Sequence, residues 1–186
     1  MSRFIISDTP LPGLKLIERQ QLVDARGFLA RIFCADEFAA IGWHRPIVQI
    51  NHTSTARQGT VRGMHFQHPP HAEMKLVSCL RGEVWDVAVD IRLGSPTFLY
   101  WYGAVLSAEN CRALLIPEGF AHGFQTLSDA VELLYCHSAA YLAEAEEGLN
   151  PQDPELAIDW PLPVTEISDR DRSHPFIHNG FKGVCP

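Results

Sequence analysis

The chain has no close pair of cysteines. Its five, Cys34, Cys79, Cys111, Cys136 and Cys185, are odd in number and scattered, which leaves no CxxC redox motif and no cysteine zinc site, so they read as reduced residues that mostly serve packing. Long apolar runs are missing as well. The opening Met-Ser-Arg-Phe-Ile-Ile-Ser-Asp-Thr-Pro is too short in apolar residues for a signal peptide, and no later stretch approaches the length of a bilayer-spanning helix. The expectation is a cytoplasmic protein with no membrane partner. Positive charge is scarce: 15 Lys and Arg stand against 22 Asp and Glu, a formal net charge of -7. That balance argues against a protein that coats nucleic acid, which needs cations to displace counterions from phosphates. Arg26, Arg57, Arg62 and Lys75 remain as local cations for a small phosphorylated ligand. Repeats and low-complexity linkers are absent, and 186 residues at 46% hydrophobic content predict a single domain over residues 1–186.

Helical patterning is weak. Residues 35–41 read as a short helix before Gly42, and residues 142–147 contain good helix formers without a long amphipathic stripe. Short runs rich in Val, Ile, Phe, Trp and Tyr dominate instead, at residues 47–51, 83–91 and 97–106, separated by Gly, Pro, Ser and Asn. These predict many antiparallel strands. In residues 84–91, Trp85, Val87, Val89 and Ile91 share one face while Val84, Asp86, Ala88 and Asp90 share the other, so that one face packs on a core and the other is free to line a cavity. The proline-bearing segment 150–163 offers Leu156, Ile158 and Trp160 as anchors and reads as an ordered cover. A two-sheet, all-β jelly roll with a few short peripheral helices fits this pattern.

Chemistry concentrates in Arg62-Gly63-Met64-His65-Phe66-Gln67, followed by Lys75, and in Pro117-Glu118-Gly119-Phe120-Ala121-His122-Gly123-Phe124. Gly63 permits a bulge or a close backbone approach, which would let Arg62 and His65 reach one cavity despite strand alternation. Histidine suits a general base, because its unperturbed pKa lies near neutrality and a carboxylate partner can orient the ring. An inward Lys75 would need a negative partner or ligand and would stabilise negative charge growing on a carbonyl oxygen. Tyr135, on one alternating face with Leu133 and His137, would give a proton from the side opposite His65. One base and one acid on opposite faces are what inversion of a carbon centre requires. His65, His68, His71, Glu73 and His122 also have the residue types of metal ligands, and Pro117-x-Gly119-x-x-His122 resembles the second motif of the cupin superfamily. The first cupin motif, however, carries two histidines one residue apart, and here Gln67 stands two after His65. No metal is expected.

Several further blocks occur in order: Asp24-Ala25-Arg26-Gly27-Phe28, Gln49-Ile50-Asn51-His52, Lys75-Leu76-Val77, Asp86-Val87-Ala88-Val89-Asp90-Ile91-Arg92, Ser95-Pro96-Thr97-Phe98 and Ser168-Asp169-Arg170-Asp171. With the two already quoted, they resemble the dTDP-4-dehydrorhamnose 3,5-epimerase family, a cupin-fold group acting on nucleotide-linked 4-keto-6-deoxy sugars without a cofactor. The resemblance implies His65 as general base assisted by Asp171, Tyr135 as general acid, and Lys75 polarising the 4-keto group. It further implies Arg62 and Arg26 as diphosphate contacts, Gln49 and Asn51 lining the site, His122 near the sugar, and Glu146 and Arg170 touching the nucleotide sugar. A homodimer with exchanged N-terminal strands follows from it, with Arg26 reaching the partner's site. Leu29 and Arg31 stand where the family usually has phenylalanine and glutamate. Arg31 is counted with the substrate-binding residues of the nucleotide end, where it reverses the local charge. Met64 and Phe66 replace the commoner leucine and tyrosine, and Arg170 replaces a lysine.

Overall fold

A computed structural model describes residues 2–177 and 180–185. Its elements are β1 (Phe4–Asp8), β2 (Lys15–Arg19), β3 (Gln21–Asp24), β4 (Gly27–Ala30), α1 (Ala35–Ala39), β5 (Gln49–Thr55), β6 (Thr60–Gln67), β7 (Lys75–Arg81), β8 (Glu83–Asp90), β9 (Trp101–Ser107), β10 (Arg112–Ile116), β11 (Phe120–Thr126), β12 (Val131–His137), β13 (Glu146–Gly148), β14 (Glu166–Ile167) and α2 (Asp169–Ser173). One sheet has the order β1-β2-β10-β7-β12-β5, and the other β13-β6-β11-β8-β9 with β14 added in parallel on β6. β3 and β4 form a separate hairpin. This is the expected all-β jelly roll with two short helices. Among the described residues no helix is long and apolar enough to cross a membrane.

Strand alternation divides the core into three layers. Between the sheets, Val77 and Cys79 of β7 and Val131 and Leu133 of β12 meet Val84 and Ala88 of β8 and Phe124 of β11. On the outer face of the second sheet, Met64, Phe66, Val87, Val89 and Ala121 lie under Leu156, Ile158 and Trp160. Segment 150–163 is therefore the cover that the sequence predicts, pinned by Trp101 Nε1 donating to the Leu156 carbonyl at 3.0 Å and Trp160 Nε1 to the Pro151 carbonyl at 2.8 Å. On the outer face of the first sheet, α1 lays Phe38 over Ile17, Leu76, Leu115 and Cys136. Each such fully buried aliphatic or aromatic side chain contributes about 1.5–3 kcal/mol.

Three expectations need correction. Residues 142–147 form no helix: Glu146–Gly148 pairs with β6, and the Leu142 N–H donates to Gln67 Oε1 at 2.7 Å, so sheet pairing overrides helix propensity. The face carrying Val84, Asp86, Ala88 and Asp90 lines no cavity; it packs into the inter-sheet core, where Asp86 and Asp90 are fully buried. The strand expected from Thr97 begins at Trp101, because Ser95 Oγ and Thr97 Oγ1 both donate to Asp90 Oδ2 at 2.6 Å and hold the preceding residues in a turn.

β6 carries one residue more than β11 between the pairs His65↔His122 and Arg62↔Phe124. The extra residue is a bulge centred on Gly63, whose φ is +134°. There a Cβ on Gly63 would lie 2.5 Å from Gly123 Cα, so the two strands approach through facing glycines. Gly63→Ala is expected to destabilise the fold by about 2–4 kcal/mol, from steric overlap and an unfavourable φ; urea unfolding should show a lower midpoint at unchanged slope. Burial pushes the Asp90 carboxyl up, but hydrogen bonds from Arg92, Ser95 and Thr97 outweigh it and hold the group down at about 2. Its stabilising contribution is complete above the usual carboxylate value of about 3.9 and is lost as pH falls toward 2. The gap in unfolding midpoint between the unsubstituted protein and Asp90→Ala should therefore narrow across that window.

Candidate active site

Along the inward faces, apolar side chains give way to polar ones at one end of the two sheets. On β12 the series Val131, Leu133, Tyr135, His137 passes from core to cavity, and on β7 Cys79 and Val77 give way to Lys75. The resulting cavity of about 250 Å³ receives Gln49, Asn51 and Thr53 from β5, Lys75 from β7, and Tyr135 and His137 from β12. The opposite sheet supplies Arg62 and His65 from β6, His122 from β11 and Glu146 from β13. The bulge at Gly63 is what turns both Arg62 and His65 inward, since strict alternation would send Arg62 outward with Met64. Tyr135 and His65 thus project from facing sheets.

His65 Nε2 lies 2.8 Å from Asp171 Oδ1. Asp171 Oδ2 accepts from the Gly63 N–H at 3.2 Å, and the Asp171 N–H donates to Ser168 Oγ at 3.1 Å, the N-cap of α2. Burial pushes the Asp171 carboxyl up, yet the His65 ring, the Gly63 N–H and Ser168 together bring it below its ordinary value. A carboxylate on Nε2 selects the tautomer with the lone pair on Nδ1, the form a base needs. His174 packs edge-on to His65 with ring centroids 6.3 Å apart. His65, Asp171 and His174 also bring three potential ligand atoms within 4.8 Å of one another. The metal set considered from the sequence is not gathered: His68 pairs with Glu147, His71 is exposed, and His122 pairs with Asp86.

Lys75 Nζ lies 3.1 Å from Glu73 Oε1 and donates to the His65 carbonyl at 3.2 Å. The inward lysine therefore has the negative partner it requires. Glu73 Oε2 also accepts from Gln67 Nε2 and faces His137 Nδ1, each at 3.1 Å. Burial raises the Glu73 carboxyl, but His137 and the Lys75 charge win and leave it lowered. On the far side, His122 Nε2 meets both Asp86 oxygens at 2.9 and 3.0 Å. Tyr135 sits between two histidines, edge-on to His122 at 6.0 Å and stacked on His137 at 6.1 Å. Burial, reinforced by the Asp86 charge, pushes its phenol far above the ordinary value. Both effects favour the neutral, protonated phenol.

Of the residues singled out from the sequence, His65, Tyr135, Lys75, Gln49, Asn51, Arg62, His122 and Glu146 line the cavity, and Asp171 stands directly behind His65. Arg170 is at the rim, paired with Glu146. Arg26 and Arg31 are not brought there: Arg26 is exposed on the β3–β4 hairpin and pairs with Asp24, and Arg31 pairs with Glu37 of α1, each at 2.6 Å. Sequence reasoning missed Thr53, Tyr141 and the pocket positions of Glu73 and His137. The two-residue period carries Gln49 and Asn51 on to Thr53 and Tyr135 on to His137, so two of these were within reach.

The model of the family "dTDP-4-dehydrorhamnose 3,5-epimerase" matches residues 8–179. A dTDP-4-dehydrorhamnose 3,5-epimerase of Sinorhizobium fredii is 44% identical over 165 residues, 88% of this chain and 85% of that protein. A dTDP-4-dehydrorhamnose 3-epimerase of Streptomyces niveus is 42% identical over 163 residues, 87% of this chain and 78% of its own length. Among solved structures, a dTDP-6-deoxy-D-glucose-3,5-epimerase of Legionella pneumophila in complex with dTDP-4-keto-L-rhamnose superposes with a TM-score of 0.90 at 40% identity, covering 98% of this chain and 99% of that one. With a jelly roll that matches theirs and sequence identity spread over nearly its whole length, the chain belongs to the dTDP-4-dehydrorhamnose 3,5-epimerase family.

Proposed function

We propose that the protein is an isomerase that inverts C3 and C5 of a nucleoside-diphosphate 4-keto-6-deoxyhexose, with dTDP-4-dehydro-6-deoxyglucose as the substrate. The observation that carries this reading is the placement of a histidine–carboxylate pair and a buried tyrosine on opposite walls of one cavity, with a buried lysine beside them. His65 removes the proton next to the carbonyl while Asp171 holds its ring and stabilises the imidazolium that forms. Lys75 stabilises the enolate oxygen, so the negative charge grows against a fixed cation. Tyr135 returns a proton to the other face of the ring. No cofactor enters these steps. Arg62 takes the diphosphate, Gln49, Asn51 and His122 hold the sugar, and Glu146 with Arg170 meets the nucleotide end.

The whole chain acts as one domain, and we place it in the cytoplasm, where its five unpaired cysteines suit a reducing compartment. It works as a homodimer whose N-terminal strands are exchanged. The support is the β3–β4 hairpin, which exposes Val23, Phe28 and Leu29 at 73%, 64% and 70% and carries Arg26 away from its own cavity. In the dimer Arg26 reaches the partner's diphosphate, and Arg31 belongs to the nucleotide end there. Inversion at C3 alone is a second reading, favoured by the Streptomyces niveus relative that is named a 3-epimerase.

In deuterated water with dTDP-4-dehydro-6-deoxyglucose, the C3 and C5 proton signals should both fade by NMR; loss of one signal would select the single-carbon reading, and retention of both with every nucleotide 4-keto sugar tried would sink the proposal. His65→Ala should lower exchange by about 10²–10⁴-fold, while Tyr135→Phe should keep exchange and lose inverted product. Arg26→Glu and His65→Ala chains, each weakly active alone, should regain about half of the native activity per dimer when co-expressed and isolated as heterodimers, since one site is then intact. Heterodimers no more active than either parent would exclude a shared site.

A further inference from the structure

Three histidine–carboxylate pairs surround the cavity, and the proposed reaction uses one of them as a base. His65–Asp171 is that pair, and His122–Asp86 is buried between the sheets. The third, His137–Glu73, is a part of the wall with no role so far. His137 is 7% exposed, and the register sets it opposite Lys75 on the neighbouring strand. Neutralising a buried Glu73 needs only the Lys75 ammonium. A histidine added to the same carboxylate does something more: it fixes one ring nitrogen and so defines the other. With Nδ1–H donating to Glu73 Oε2 at 3.1 Å, Nε2 carries the lone pair, and the amide nitrogen of Asn51, itself a cavity residue, lies 3.4 Å from it. Nε2 is thus an acceptor at the cavity wall, where its single lone pair meets the long contact from the Asn51 amide, a contact that a ligand hydroxyl would displace.

A hydroxyl group needs such an acceptor. In a 4-keto-6-deoxyhexose linked through C1, free hydroxyls remain only at C2 and C3, and the C3 hydroxyl is adjacent to the carbonyl that Lys75 addresses. Building on the function proposed above, we infer that His137 is a specificity-determining residue whose Nε2 accepts a hydrogen bond from the C3 hydroxyl of the sugar, with Glu73 positioning its ring. When C3 inverts, this hydroxyl moves between axial and equatorial positions. An acceptor held by a buried carboxylate favours one of the two, so the pair weights the partition between inverted and uninverted C3.

The test compares the natural 4-keto substrate with its analogue deoxygenated at C3, reading deuterium uptake at C5 as kcat/KM. His137→Phe should lower kcat/KM for the hydroxylated substrate by about 10- to 100-fold and change that for the 3-deoxy analogue by less than about twofold, the signature of a lost hydrogen bond to that hydroxyl. His137→Gln, which keeps a donor for Glu73 and an acceptor for the sugar, should recover part of the loss. It also serves if the phenylalanine variant folds poorly, because then only the hydroxylated substrate should separate it from the unsubstituted enzyme. Equal losses with both substrates would reduce His137 to a structural partner of Glu73, and no loss with either would remove it from the site; both outcomes overturn the inference. Absence of exchange by the unsubstituted enzyme on either substrate would instead overturn the underlying function, and the inference with it.

Discussion

A charge enclosed between two sheets must meet an opposite charge or a set of donors, and the cavity is organised by that requirement. Asp171 is met by His65 and the Gly63 N–H, Glu73 by Lys75, His137 and Gln67, and Asp86 by His122. None of these carboxylates is an ornament of the surface. Each fixes a side chain that would otherwise sample several rotamers, so the electrostatic cost of burial is offset by order in the groups that face the ligand. The same requirement holds at Asp90, away from the cavity, which Arg92, Ser95 and Thr97 surround with donors. Away from the cavity Val77, Val84 and Leu133 pack into the apolar core between the sheets.

Pairing alone would not separate the proposed base from the proposed acid. The separation comes from topology: β6 and β12 belong to different sheets, so His65 and Tyr135 approach a ligand from different sides. Local irregularity then completes the placement. Without the extra residue in β6, Arg62 and His65 would lie on opposite faces of their strand and one of them would be lost to the outer layer. Gly63 and Gly123 permit the bulge because neither carries a Cβ at the contact.

Much of this was legible in the sequence. Alternating strands predicted the two-sheet architecture, the glycine beside His65 predicted the bulge, and the apolar residues of segment 150–163 predicted a cover. What the sequence obscured has physical causes. α2 is five residues long and is announced only by its cap, Ser168, so no amphipathic period could show it. The stretch 142–147 has helical composition, yet its backbone groups find better partners in β6 and Gln67. Glu73 lies outside any strand, and its companions, Lys75 and Gln67 nearby and His137 more than sixty residues away, share it only after folding. Arg26 and Arg31 lie away from the cavity, paired with Asp24 and Glu37, because a motif can mark a residue without marking where the chain places it.

In the reaction proposed above the two proton-handling groups are unequal, and the inequality suits their order of action. His65 keeps its lone pair available because Asp171, held ionised by the hydrogen bonds around it, welcomes the imidazolium that follows. Tyr135 is in the opposite situation: burial and the Asp86 charge both penalise its phenolate. Such a phenol holds its proton more tightly than an exposed one. In the proposed reaction it gives that proton to a carbanion, a far stronger base, and the Thr53 hydroxyl and the Arg62 guanidinium ease the phenolate left behind. On that reading the acid acts once the enolate exists. Protonation from its side then follows abstraction from the other, and inversion, not mere exchange, becomes the outcome that the wall of the cavity favours.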